Sequence, residues 1–203
     1  MEPQQKLDIR SNAIVNGTFI SSIADPNIGG TIQIDNPAKT TNGTANSWKI
    51  YNMGGADGYS LQFWAYDVPR CNGGMCANKF TLMDNGNIGI GTVKPSTSLQ
   101  IGDFNNAYQS KQVLIPGVYN FERLQFGQLG NGNTALEMVN HNSVDNSYGI
   151  KLMTNIDNGG PGLQFQYALG KSSYEALEYQ TAMFLNLNGQ ISIGTLHPQE
   201  NLL

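Results

Sequence analysis

Asn85-Gly86-Asn87-Ile88-Gly89-Ile90-Gly91-Thr92-Val93-Lys94-Pro95 returns 103 residues later as Asn188-Gly189-Gln190-Ile191-Ser192-Ile193-Gly194-Thr195-Leu196-His197-Pro198. Ile88 alternates with Ile90 and Ile191 with Ile193, the period of a strand. Phe80 and Leu82 alternate ahead of Asn85-Gly86, as Met183, Leu185 and Leu187 do ahead of Asn188-Gly189. Asn-Gly between alternating apolar runs signals a hairpin, because both positions of a two-residue turn need φ > 0.

Outward from this motif the match continues. Trp48-Lys49-Ile50 pairs with Ile150-Lys151-Leu152, and Leu61-Gln62-Phe63 with Leu163-Gln164-Phe165, both at an offset of 102. Ile32-Gln33-Ile34 resembles Leu136-Glu137-Met138 at an offset of 104. Ordered anchors at nearly constant spacing mark an internal duplication. Pro-x-x-x-Leu appears at each joint, as Pro3 to Leu7, Pro95 to Leu99 and Pro198 to Leu202. These boundaries give residues 1–10 as the tail of a preceding joint and 11–101 as the first β module. Residues 102–126 become the inter-module connection, with a turn at Ile115-Pro116-Gly117, and 127–203 the second module. Short strand-like runs cover 31–36, 47–53, 60–66, 135–140, 148–154 and 162–168. Ser172–Phe184 is the one helix candidate, and its alignment with the loop and strand before the first hairpin favours strand. The expected fold class is all-β, two tandem repeats of about 100 residues.

Charged residues are 13% of the 203, about half the roughly 25% usual in soluble domains. The net charge of −4 argues against a nucleic-acid partner, which would call for a basic face. No run approaches the roughly 20 apolar residues of a membrane-spanning helix. Residues 1–20 lack the basic start and apolar core of a signal peptide, so none is expected in this chain. Cys71 and Cys76, with the distant His141 and His197, do not make a metal site. A local disulfide closing a loop is the better reading of the two cysteines, and two free thiols is the other. An oxidised pair would favour an extracellular setting.

Small repeats with one-sided strands have little apolar surface to bury alone and must pack on something. Three chains with their apolar faces around one axis is one solution, and a two-sheet sandwich per repeat is the other. Ile88, Ile90, Ile191 and Ile193 should then point to a core or to the axis. Gly86 and Gly189 serve the turn. Gly91-Thr92 and Gly194-Thr195 leave the strand, Pro95 and Pro198 fix the joint, and Leu99 and Leu202 begin the next strand.

The motif resembles the repeat modules of bacteriophage tail fibres and tail spikes, and of related bacterial surface or injection-system fibres. Those repeats read Gly-Asn-Val-Gly-Ile-Gly-Thr-x-x-Pro-x-x-x-Leu, often after a Trp-x-Ile strand and a Leu-x-Phe strand. The second repeat departs at Gln190 and Ser192. The resemblance covers nearly the whole chain. It implies an extended fibre, a homotrimer with intertwined or side-by-side chains, located on a virion tail or extracellular fibre among other tail proteins. Its expected role is a shaft or knob module with contact to a cell-surface glycan or protein receptor. A carbohydrate-binding β-sandwich of a bacterial surface protein is the alternative function.

An enzyme is not expected, and no cofactor. The 15 acidic residues are scattered and form no carboxylate pair of glycosidase type. No nucleophile elbow or phosphate loop appears. For binding, the usable signal is aromatic: Trp64 and Tyr66, with Arg70 beside the cysteines, and Tyr174 and Tyr179. They fall in or near residues 67–79 and 169–181, the segments that differ most between repeats, and divergent loops on a shared scaffold are where recognition concentrates.

Overall fold

The computed structural model describes residues 11–67, 71, 74–103, 113–119, 121–128, 133–141, 147–156 and 160–196. Arg70, His197, Pro198, Leu202 and residues 1–10 lie outside that set. The chain divides into two compact units, 1–103 and 104–203. Each unit holds one sheet among the described residues, and a three-residue 3-10 turn at Gly55–Asp57 is the only helical piece among them.

The first unit contains β1 (Ile28–Asp35), β2 (Ser47–Met53), β3 (Ser60–Tyr66), β4 (Cys76–Met83), β5 (Ile88–Ile90) and β6 (Leu99–Ile101), adjacent in that order. All neighbours are antiparallel except β5 and β6, which run parallel. The second unit contains β7 (Val113–Pro116), β8 (Arg123–Gln128), β9 (Thr134–His141), β10 (Ser147–Asn155), β11 (Gly162–Lys171), β12 (Gln180–Asn186) and β13 (Ile191–Ile193), again adjacent in sequence order. The anchors align β1 to β5 with β9 to β13. The repeat extends to irregularities: β4 bulges at Lys79 and β12 at Ala182. A bulged residue is left without its ladder partner. The motif glycines supply one, since Gly91 N–H donates to the Lys79 carbonyl at 3.2 Å and Gly194 N–H to that of Ala182 at 2.9 Å.

Four details differ from expectation. The Asn-Gly hairpins are not two-residue turns. Gly86 and Gly189 have φ of 88° and 79°, whereas Asn85 and Asn188 are not left-handed. Gly86 N–H bonds the Met83 carbonyl at 2.8 Å, and Met83 N–H bonds that of Asn87 at 2.9 Å. This is a three-residue loop with glycine at the left-handed position. Its side chains help: Asn85 and Asn186 each accept from a backbone N–H two residues on, those of Asn87 and Asn188. Second, the stretch 102–126 is not all connection, because it holds β7, the edge strand of the second sheet, and most of its neighbour β8, with Ile115 and Pro116 in β7 rather than in a turn. Third, Leu99 does not open the next module: β6 closes the first sheet against β5. Last, Ser172–Phe184 splits into a non-strand stretch and β12.

Residues 11–27 are largely exposed before β1. Ser21 ties them to β1, its hydroxyl donating to the Thr31 carbonyl at 2.9 Å and accepting from the Thr31 N–H at 3.0 Å.

Candidate functional site

Strand alternation gives each sheet two unlike faces. One is apolar throughout. In the first unit Ile32, Ile50, Phe63, Phe80, Ile90 and Ile101 are successive cross-strand partners, a row spanning all six strands. In the second, Val113, Phe126, Leu136, Leu152, Phe165, Met183 and Ile193 span all seven. Flanking rows carry Leu61, Leu82, Ile88 and Leu99 in one unit, and Leu163, Leu185 and Ile191 in the other. No paired position on either face is charged. Phe63 and Phe80 meet edge to face with centroids 5.5 Å apart.

These faces are not buried within the chain. Ile90 is 44% exposed and Ile193 76%, while Ile88 and Ile191 are half-buried. Of the two places expected for the motif isoleucines, a core or the axis of an assembly, the described residues do not provide the first: these side chains line an open face, with no second sheet over it in either unit among those residues. At the β7–β8 end this face dips into a hollow of about 560 Å³, walled by Ile115, Leu124, Met138, Tyr148 and Ile150 among others.

The opposite faces are polar, and here the chain covers itself. In the second unit Gln125, Glu137, Lys151, Gln166 and Thr181 are successive partners across β8 to β12. Residues 172–179, a strap between β11 and β12, bring two tyrosines onto this row. Tyr174 donates its hydroxyl to Glu137 at 2.8 Å, and the Gln125 amide donates to the same carboxylate. Lys151 Nζ lies 3.4 Å from the other Glu137 oxygen. Arg123 stacks 3.7 Å from the Tyr174 ring centroid and Lys151 Nζ 3.5 Å from that of Tyr179. Both contacts have cation–π geometry. The Tyr179 hydroxyl lies beside Glu137 without good hydrogen-bond geometry to it. Burial pushes Glu137 up, but Tyr179, Tyr174, Lys151 and Gln125 together outweigh it and hold the carboxyl below its ordinary value. Burial, and then the adjacent Glu137, push the Tyr179 phenol well up.

In the first unit the equivalent row is Gln33, Lys49, Trp64 and Asn78. The next row pairs Asp35, Ser47 and Tyr66, matching Val139, Gly149 and Ala168. Tyr66 thus supplies from β3 the ring that Tyr179 supplies from the strap, and Lys49 Nζ sits 5.4 Å from its centroid. Trp64 and Tyr66 lie with ring planes 18° apart and centroids 6.1 Å apart. The indole N–H donates to Gln62 Oε1 at 2.8 Å, and the Tyr66 and Tyr51 hydroxyls are 3.0 Å apart. Burial, then that contact, raise the Tyr66 phenol above its ordinary range.

The loops at the Tyr66 end are tied. Cys71 and Cys76 form a disulfide with Cα atoms 4.9 Å apart. The buried Asp67 carboxylate accepts from the N–H of Gly43 at 3.0 Å and of Met75 at 2.9 Å.

The motif positions have local duties. Thr92 and Pro95 are buried. The Thr92 carbonyl accepts from the Thr81 hydroxyl at 2.9 Å, and the Pro95 carbonyl from the Asn87 amide at 3.1 Å. Gly89 sits under this turn, where a Cβ would be 2.6 Å from the Thr92 carbonyl oxygen. At the matching place Ser192 donates to the Thr195 carbonyl at 2.6 Å.

Sequence reasoning singled out Trp64, Tyr66, Tyr174 and Tyr179. The fold puts the first pair on one polar face and commits the second pair to the strap. It did not single out Glu137, Lys151, Arg123 or Gln125. Glu137 and Lys151 appeared only as members of repeat anchors, and Arg123 and Gln125 only in the alternation of 123–126.

Among the described residues no three of His, Cys, Asp or Glu converge to hold a metal, and no helix is long and apolar enough to cross a membrane. No protein-family model matches the sequence, and no curated protein is significantly similar to it.

Proposed function

We propose that this chain is a non-catalytic structural module of a homotrimeric fibre of the tail-fibre or tail-spike kind. It would sit on a virion tail or extracellular fibre among other fibre proteins, with its polar faces turned toward the host surface. One observation carries the reading: an apolar face with no charge at any paired position runs across every strand of both sheets, and none of the described residues of either unit covers it. Apolar surface of this extent on a folded chain marks an interaction site. Its occupant must be equally apolar and uncharged, and further copies of the same chain offer that surface. The count of three comes from the tail-fibre resemblance; the demand for a covering layer comes from the faces themselves.

Light scattering tests it. The expected mass is three times the 22.0 kDa of one chain, and a monodisperse monomer would reject the assembly. The carbohydrate-binding alternative draws support from the Trp64–Tyr66 pair, although its sandwich form needs a second sheet that neither unit has among the described residues.

A further inference from the structure

The polar face of the first unit, opposite the proposed assembly face, carries a pair of half-buried aromatic rings that the matching place in the second unit lacks. Trp64 and Tyr66 replace Gln166 and Ala168 there. In the second unit the region is filled by the chain itself, with strap tyrosines laid over Lys151 and Arg123 and one hydroxyl on Glu137. What this face accepts is therefore visible in the molecule: a flat ring with a hydroxyl at its edge. In the first unit the aromatic component belongs to the sheet, so the group that completes it need not be aromatic. A pyranose has an apolar C–H face for stacking and hydroxyls at its rim.

Hydrogen-bonding groups flank the rings. Gln33 and Asp35 are on β1, the Gln33 amide held by both Asp35 oxygens at 3.0 and 2.8 Å. Lys49 is on β2. Asn78, the cross-strand partner of Trp64, is buried and donates its amide to the Phe80 carbonyl at 3.2 Å, so it supports the strand rather than the rim. Among the described residues of these rows, one ammonium (Lys49) stands with one carboxylate (Asp35), and the Asp67 carboxylate beyond Tyr66 is buried on backbone N–H groups.

We propose that the Trp64–Tyr66 face, rimmed by Gln33 and Lys49, is a binding site for neutral hexopyranose units of a surface glycan. The proposal rests on the fibre reading in one respect: apolar-face assembly leaves this face outward. Sugar stacks on the two rings, and rim side chains select among its hydroxyls.

The chain has two tryptophans, and Trp48 lies on the apolar face, so Trp48→Phe isolates Trp64 emission. That protein is titrated with maltose, cellobiose, lactose and N,N′-diacetylchitobiose to tens of millimolar. A peptide of residues 171–180, the second unit's own strap, is titrated in parallel. The expected result is saturable change of Trp64 emission with at least one disaccharide and none with the peptide. Calorimetry should show binding weakened at least tenfold in Trp64→Ala, and in Lys49→Met should the Trp64 variant not fold. No response to any sugar overturns the proposal, as does response to the peptide alone, which would make the face a protein-docking surface. Scattering on the same samples separates the two readings. A trimer that binds no sugar rejects the site only, and a monomer that binds sugar rejects the assembly only.

Discussion

A Cβ placed on Gly149 would collide with the hydroxyl of Tyr179. The second unit's strap is therefore seated on a glycine, and the first unit has Ser47 at that place because its ring comes from Tyr66 instead. One niche beside a lysine is filled in two ways, from a loop in one repeat and from a strand in the other.

Gly149→Val should displace the strap. Overpacking typically costs about 1–3 kcal/mol. The cost should appear as a lower urea midpoint at fixed protein concentration, with earlier proteolysis between residues 172 and 179. Ser47→Gly in the first unit should leave the protease pattern unchanged. Equal sensitivity of the two variants would mean that Tyr179 is not anchored at Gly149.

Acid should loosen the second unit through Glu137. Its folded-state pKa lies below the ordinary 4.5. It therefore contributes stability that is present above pH 4.5 and lost as pH falls through the folded value. Glu137→Gln should flatten the dependence of unfolding free energy on pH below 4.5. Lys151→Met should be worse at neutral pH, because removing one partner of a buried pair costs about 3–5 kcal/mol. The phenols act at the other end. Tyr179 and Tyr66 are raised above 10 in the fold, so their contribution is complete below pH 10 and lost as pH rises through their folded values. An identical acid limb in Glu137→Gln and the parent chain would refute the assignment.

The strands legible in the sequence were those with two-residue alternation and a partner repeat: the motif hairpins, β1 with β9, β2 with β10, and β3 with β11. β7 and β8 were not. Pro116 interrupts the first, and the Arg123-Leu124-Gln125-Phe126 alternation has no paired strand in residues 11–27 to match. The turn between them rests on the Glu122 side chain, which accepts from the N–H groups of Val118 and Tyr119 at 2.9 and 3.2 Å. The polar face was hidden for another reason. Periodicity marks the apolar side as the inner one, yet in each unit the side the chain covers is the polar side. Glu137 and Tyr174, 37 residues apart, gave no local sign that they meet, so the strap tyrosines read as solvent-facing.

Asp67 should be the most sensitive loop residue. Its carboxylate is buried and joins Gly43 to Met75. Asp67→Ala leaves two part-buried N–H groups without their acceptor; a fully buried unsatisfied group costs about 1–3 kcal/mol, and the exposure of Gly43 and half-burial of Met75 put the loss at each below that. Faster amide exchange at Gly43 and Met75, with the β2–β3 ladder unchanged, would be the signature. Unaltered exchange at both would show that the loops hold without it.

The apolar faces give the final test, because a charge there separates assembly from folding. Ile50 and Phe165 are central in their rows, flanked by Ile32 and Phe63 in one sheet and by Leu152 and Met183 in the other. Within one chain these side chains still meet water, so an aspartate at either place costs the isolated sheet little. In an assembly closed over the face, the same carboxylate is desolvated without a partner, which costs at least several kcal/mol, repeated in every copy. Ile50→Asp and Phe165→Asp should each shift the scattering mass toward the single chain while circular dichroism keeps its β signature. Ile193→Asp, on the edge strand and the more exposed at 76%, should do so less. Aspartates that leave the mass unchanged would place the interface elsewhere. Aspartates that abolish the β signature in a chain already monomeric would mean that the face is packed within the molecule.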